Sequence, residues 1–211
     1  MEAPIPDQGP RPKQILAALP LKAFAAAKGR LDAFLGPAAR AALSRALAER
    51  VAAACALAWA EVAVVADDPG VADWASGLGL EVIPEPPGGG LDGAAAAAAA
   101  TAARRGWAWC IVHGDLPLLA PKHVAEVAAA VGPGTAVLAP SRNGGTNLFA
   151  AAVPLAFSYG PGSFSRHLAA ARHLERRTLI ATGTALDIDT PAELRGAAAL
   201  AGGQWLRDFL P

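Results

Sequence analysis

The sequence predicts an α/β protein whose single domain is built on a mainly parallel, doubly wound sheet with one short antiparallel insertion. Three observations carry this prediction. Short apolar or β-branched runs alternate with helical segments along the chain. The 211 residues suffice for one α/β domain with a full core. Two acidic turns, Asp67-Asp68-Pro69-Gly70 and His113-Gly114-Asp115-Leu116-Pro117, stand where an apolar strand hands over to a helix. Open α/β sheets place their ligands at such strand ends.

The elements follow in order. Residues 1–12, with Pro4, Pro6, Gly9, Pro10 and Pro12, read as a disordered leader, so the folded domain is expected over 13–211. A strand at 15–19 leads into a loop with Lys22, and 25–34 is compatible with a helix that Gly36-Pro37 breaks. Residues 38–59 have helical periodicity, with Leu43, Leu47, Val51 and Cys55 on one stripe. A buried strand at 61–66 precedes a helix at 71–78, for which the Asp67-Asp68-Pro69 turn is the natural N-cap. A short strand at 81–84 and a glycine-rich loop at 86–90 lead to an alanine helix over about 92–105. Strand 107–112, helix 121–131 and strand 135–139 follow, then a polar loop at 143–147 and the inserted strand at 148–153. A helix at 163–175, a strand at 178–180 and a helix at 191–201 complete the pattern. The terminal Trp205–Leu210 stretch is apolar enough to dock on the core or on a partner subunit, and a homodimer is one expectation.

Composition narrows the function. Formal net charge is zero, which argues against a general nucleic-acid binder. Much of the 54% apolar content is alanine, and the longest apolar run is interrupted by Thr101, Arg104 and Arg105, too weak to span a bilayer. No signal peptide is visible, and Cys55 and Cys110 lie in apolar stretches, so a cytoplasmic protein with two core cysteines is expected. The charge is unevenly spread: Lys13, Lys22, Lys28 and Arg30 crowd one region, and Arg166, Arg172, Arg176 and Arg177 another.

Four constellations could carry chemistry. Lys22, Lys28 and Arg30 follow the first strand and suit a triphosphate, although no P-loop is present. Asp92, in Gly90-Leu91-Asp92-Gly93, either caps the alanine helix or hydrogen-bonds a nucleotide. Asp115, with Asp189 as distant partner, suggests a Mg²⁺ site that bridges phosphates; Asp187 competes with Asp189, and Asp189 could instead cap the last helix. His113 reads as a packed residue. Finally, Thr146 in its polar loop and Gly160-Pro161-Gly162-Ser163 opening a helix, with Arg166 a turn later, form an anion site suited to a small phosphorylated acid.

The motifs P-L-K and A-K-G-R-L (20–22, 27–31), A-D-D-P (66–69), G-L-D-G-A (90–94), H-G-D-L-P-L-L (113–119), N-G-G-T-N-L (143–148), Y-G-P-G-S-F-S-R-H (159–167) and D-I-D-T-P-A-E-L (187–194) occur in one order. Together they resemble the CofC/FbiD family of guanylyltransferases of coenzyme F-420 biosynthesis, over nearly the whole chain after residue 14. The resemblance implies a Rossmann-like, GT-A-like nucleotidyltransferase domain. It implies that GTP is attacked at its α-phosphate by a small phospho-acid, phosphoenolpyruvate in bacterial members, with 2-phospho-L-lactate or 3-phospho-D-glycerate as alternatives. By motif, Asp115 and Asp189 would hold Mg²⁺, Thr146, Gly160 and Ser163 would contact the acid, and Lys22, Lys28 and Arg30 would face the GTP phosphates. Gly29 and Asp92 stand where family members often have Ser and Asn. Rival readings are a cytidylyl- or molybdopterin-type nucleotidyltransferase, against which the missing L-A-G-G-x-S-x-R-M-G-like loop counts, and a non-catalytic nucleotide-binding module.

Overall fold

The computed structural model describes residues 14–58 and 60–211; the leader expected at 1–12, together with Lys13 and Trp59, lies outside the described residues. Among the described residues seven strands form one sheet: β1 (Ile15–Pro20), β2 (Glu61–Ala66), β3 (Glu81–Pro84), β4 (Ala108–Val112), β5 (Thr135–Pro140), β6 (Thr146–Ala151) and β7 (Glu175–Thr178), in the order β3-β2-β1-β4-β6-β5-β7. Every pairing is parallel except those of β6, which runs antiparallel to both β4 and β5. The expected antiparallel insertion is therefore a single reversed strand.

Alternation along the strands divides the core into two faces. Ile15, Ala17 and Leu19 of β1, with Ala108, Cys110 and Val112 of β4, pack on the side of α1 (Pro37–Leu57) and α4 (Pro121–Ala130). Leu16, Ala18, Trp109 and Ile111 face the other side, covered by α3 (Gly90–Arg104) and α5 (Ser163–Ala170). Buried Ala94, Ala95, Ala98, Ala99 and Ala102 recur at helical spacing. Their small side chains let α3 lie close across β1 to β4. The indole N–H of Trp109 donates to the Val153 carbonyl at 3.0 Å, so the largest buried side chain in β4 leaves no unpaired donor. Asp68 caps α2 (Pro69–Gly77) by accepting from the Val71 N–H at 2.9 Å, as expected.

Some boundaries differ from expectation. The 25–34 stretch is no α-helix but two 3₁₀ turns, Phe24–Ala26 and Gly29–Leu31, separated by Lys28 in the left-handed region at φ 60°. The helix expected to reach 175 ends at Ala170, and the last strand is Glu175–Thr178, not 178–180. Hydrophobicity misled here: β7 is a charged strand paired, among the described residues, with β5 alone, and Ile180 beyond it is 80% exposed. The short helix α6 (Thr182–Ala185) has too few residues for a periodic signal. The C-terminal segment docks on its own chain, where Leu206 is buried beside Leu43, Leu47 and Leu194, below α7 (Pro191–Ala199).

Candidate active site

The chain crosses from β3 back past β1 to form β4, so the order reverses between β1 and β4. That reversal opens a crevice outside the carboxyl ends of these two strands. A cavity of about 350 Å³ lies there, within the size range of small-molecule sites. Leu21 and Lys22 line it from the end of β1, and His113, Gly114 and Asp115 from the end of β4. Gly114 lets the turn pass close to Leu21: a Cβ there would stand 2.5 Å from the Leu21 Cδ2, and the end of that side chain would have to turn aside.

Lys28 is the hub. Its Nζ donates to Asp115 Oδ2 at 2.6 Å and to Asp189 Oδ1 at 3.2 Å, with the lysine side chain only 8% exposed. Arg30 Nη1 lies 3.5 Å from Asp189 Oδ2, on a side chain that is 72% exposed. Burial opposes the Lys28 charge, but the two carboxylates outweigh it and raise the lysine above its ordinary value. Burial likewise opposes ionisation of Asp115, yet Lys28, with a smaller contribution from His113, holds the carboxyl below its usual range.

The left-handed backbone at Lys28 turns its side chain inward, and α1 braces the loop. Arg40, buried on α1, donates through Nη1 to the Ala27 carbonyl at 3.1 Å and pairs through Nη2 with Asp32 at 2.6 Å.

Asp189 is free for this role because it does not cap α7. Thr190 is the N-cap, and Glu193 Oε2 accepts from the N–H groups of both Asp189 and Thr190 at 2.9 and 2.8 Å. The sequence signal was present in Thr190-Pro191-Ala192-Glu193. Asp189 stands in an extended segment between α6 and α7, not at a strand end, and the Ile188 N–H donates to the Asp115 carbonyl at 3.3 Å. Lys28 thus gathers Asp189 and not Asp187. Burial, then the charge of Asp115, raises the Asp187 carboxyl.

Asp115 and Asp189 supply hard oxygen donors around one point, and Asp115 Oδ1 is buried with no hydrogen-bond partner among the described residues. This donor set fits Mg²⁺, which takes one or two carboxylates and completes its shell with substrate phosphates and water. Among the described residues no larger cluster of His, Cys, Asp and Glu gathers for a metal.

The expected acceptor residues form a second group. Thr146 begins β6 at the same rim, because β6 runs opposite to β4. Thr146 Oγ1 lies 3.2 Å from Ser163 Oγ and 2.9 Å from His167 Nδ1. All three residues are buried. The Ser158 N–H donates to His167 Nε2 at 3.0 Å, which assigns the ring proton to Nδ1 and makes it the donor to Thr146. Burial pushes the His167 imidazole down to about 4, in keeping with a neutral ring. His167 was not singled out in the sequence, although it ends the motif that supplies Ser163.

Gly160, at φ 104°, and Gly162, at φ 71°, bend the preceding loop. Arg166 departs from expectation as an anion ligand: its guanidinium donates to the Ser158, Tyr159 and Pro161 carbonyls and to Ser158 Oγ. The loop carbonyls point back over the helix end, so Arg166 straps the loop. Asp92 does not cap α3, whose N-cap is Gly89. Its Oδ1 accepts from the Tyr159 N–H at 2.7 Å, tying α3 to the 158–162 loop. His113 is packed as expected, its ring 5.5 Å from that of Tyr159.

Similarity to known proteins bears on the fold and the family. Among solved structures, a chain from Desulfovibrio desulfuricans G20 assigned as a nucleotide-diphospho-sugar transferase superposes with TM-score 0.72 at 15% identity, over 93% of this chain and 95% of that one. A nucleotidyl transferase from Methanothermobacter gives TM-score 0.54 at 14% identity, over 93% and 97% of the two chains. These likenesses establish the fold. Sequence relatives are nearer. The phosphoenolpyruvate guanylyltransferase of Thermomonospora curvata is 42% identical over 193 residues, 88% of this chain and 83% of that protein. The protein of the same name from Rubrobacter xylanophilus is 36% identical, over 90% of this chain and 97% of its own length. The family described as guanylyl transferase CofC like matches residues 15–210, and the chain belongs to that family.

Proposed function

We propose that the chain transfers GMP from GTP to phosphoenolpyruvate, releasing pyrophosphate and giving enolpyruvyl-2-diphospho-5'-guanosine, a step of coenzyme F-420 biosynthesis. The observation that carries the reading is the convergence of Lys28, Asp115 and Asp189 beside the cavity at the β1/β4 crevice. The names of the relatives supply the substrates.

In the reaction, a phosphate oxygen of the acceptor attacks the α-phosphorus of GTP. The bond from that phosphorus to the bridging oxygen breaks, and pyrophosphate leaves with the electron pair. The acceptor is already an anion, so no general base is needed. The barrier lies in bringing two anions together, and fixed cations lower it. Lys22, Lys28 and Arg30 face the triphosphate. Asp115 and Asp189 would hold Mg²⁺, which when bound supplies further charge neutralisation across the phosphates. Thr146, Ser163 and the Gly160 turn hold the acid, while Arg166 and Asp92 act one step back by fixing the loop that carries them.

The test is GTP turnover with phosphoenolpyruvate, 2-phospho-L-lactate and 3-phospho-D-glycerate, with and without Mg²⁺, products being identified by mass. Pyrophosphate release with phosphoenolpyruvate and Mg²⁺ is expected. GTP left intact with all three acids refutes the reading.

A further inference from the structure

The geometry points to Glu85 as the residue that selects guanine, its carboxylate accepting hydrogen bonds from the base at the end of the cavity remote from Asp115. This rests on the guanylyltransferase reading and adds the group that would distinguish GTP from other nucleotides.

The cavity has a polarity that the sheet order imposes. Asp115 follows β4 and Glu85 follows β3, with β1 and β2 between them. Three strand spacings separate the two positions, about 14 Å along the rim. That span suits a nucleotide laid across the strand ends. The β4 end holds Lys28 against Asp115, and Lys22 follows β1 in the middle, so phosphates belong on that side. Beside Lys22 and Ser44 the lining also has apolar members, Pro20, Phe24 and Leu91, which offer surfaces for a flat ring and a sugar. At the far end stands one carboxylate.

The backbone of Glu85 is held there, since its N–H donates to the Ala66 carbonyl at 3.1 Å and continues the β2–β3 ladder. The other acid lining the cavity, Asp115, is taken by Lys28. Among the described residues the Glu85 carboxylate has no hydrogen bond or ion pair. An ionised carboxylate only accepts. It repels phosphate and matches a ligand edge that presents two adjacent donors. Guanine offers such an edge in N1–H and the 2-amino group. Adenine and cytosine each set a ring-nitrogen acceptor beside their amino group, and uracil sets a single N–H between two carbonyls. Asp92, the acid expected for this contact, is engaged by the Tyr159 N–H and does not line the cavity.

The test compares kcat/KM for GTP, ITP and ATP, with phosphoenolpyruvate and Mg²⁺, in the wild type, Glu85→Ala and Glu85→Gln; melting temperatures verify folding. ITP lacks the 2-amino group. Wild type is expected to prefer GTP to ITP. Glu85→Ala is expected to lose roughly 100-fold in kcat/KM for GTP, because the guanine donors are left without an acceptor. Its GTP/ITP ratio should fall to near one, with the KM for phosphoenolpyruvate unchanged. A folded Glu85→Ala enzyme that keeps the wild-type GTP/ITP ratio overturns the proposal; Glu85→Gln keeps one acceptor oxygen for the 2-amino group and is expected to fall between wild type and Glu85→Ala. If the wild type consumes no GTP with any phospho-acid, the parent reading fails. Calorimetric binding of GTP and ITP then judges Glu85 by itself: a preference lost in Glu85→Ala sustains it, and one retained refutes it.

Discussion

Lys28 sits between two carboxylates with its backbone in a conformation that costs a non-glycine residue on the order of 1 kcal/mol. The ion pairs that this turn allows offset the strain. Removing the ammonium should therefore be expensive in two currencies. Lys28→Met leaves Asp115 buried beside a neutral side chain, and a stability loss of about 3 kcal/mol is expected in urea unfolding. Its turnover should fall with it. Asp115→Asn separates the effects, since the amide keeps the shape and still accepts from Lys28. Here turnover should drop at least about 100-fold, while Lys28 keeps its pair with Asp189 and the stability loss stays smaller than in Lys28→Met; a near-wild-type rate would remove Asp115 from the chemistry. Much of this was readable in the chain, where Lys28, Asp115 and Asp189 each stand in a recognisable motif. That one lysine joins the two acids was not, because a left-handed turn at lysine leaves no compositional mark.

Elements carry the side proposed for the acceptor. Helix α5, β6 and the 158–162 loop meet through His167, whose Nε2 takes the loop N–H and whose Nδ1 reaches Thr146. His167 is held down at about 4 against an ordinary 6.5. Between those values the unfolded chain binds a proton that the folded chain refuses. The stabilisation is thus complete above pH 6.5 and is lost as the pH falls toward 4, by about 3 kcal/mol. Denaturation midpoints measured from pH 7 to 4 should show this slope, and His167→Gln should flatten it. An unchanged slope in that variant would assign the acid sensitivity elsewhere. Periodicity predicted α5 at its start but not its end, and it placed β7 about three residues late, because exposed Glu175, Arg176 and Arg177 resemble a helix face more than a strand. Strand pairing, a non-local property, decided that segment.

At the scale of the molecule, the sheet order brings a β1 loop, a β4 turn and the α6–α7 segment to one rim. Ligands that bind there should stabilise the whole fold through linkage. With GTP and Mg²⁺ at about 100 times their dissociation constants, roughly 2.7 kcal/mol is expected. For a chain of this size that means a rise of about 5–10 °C in melting temperature. EDTA should abolish most of the shift, and Asp115→Asn should make GTP stabilisation indifferent to Mg²⁺. Equal shifts with and without the metal would exclude Asp115 as its ligand. The alternation of strands and helices made the architecture legible, and the ordered motifs made the rim legible. The reversal of β6 was visible only as a short insertion, yet its consequence is wide. Because β6 starts where β5 ends, the 141–145 turn needs no crossover helix to reach the nucleotide side. On the proposed reading, acceptor recognition falls to a hairpin and the loop strapped behind it, and GTP to separate parallel units. Natural variation could then exchange one phospho-acid for another by rewriting that hairpin alone, leaving the machinery for GTP as inherited.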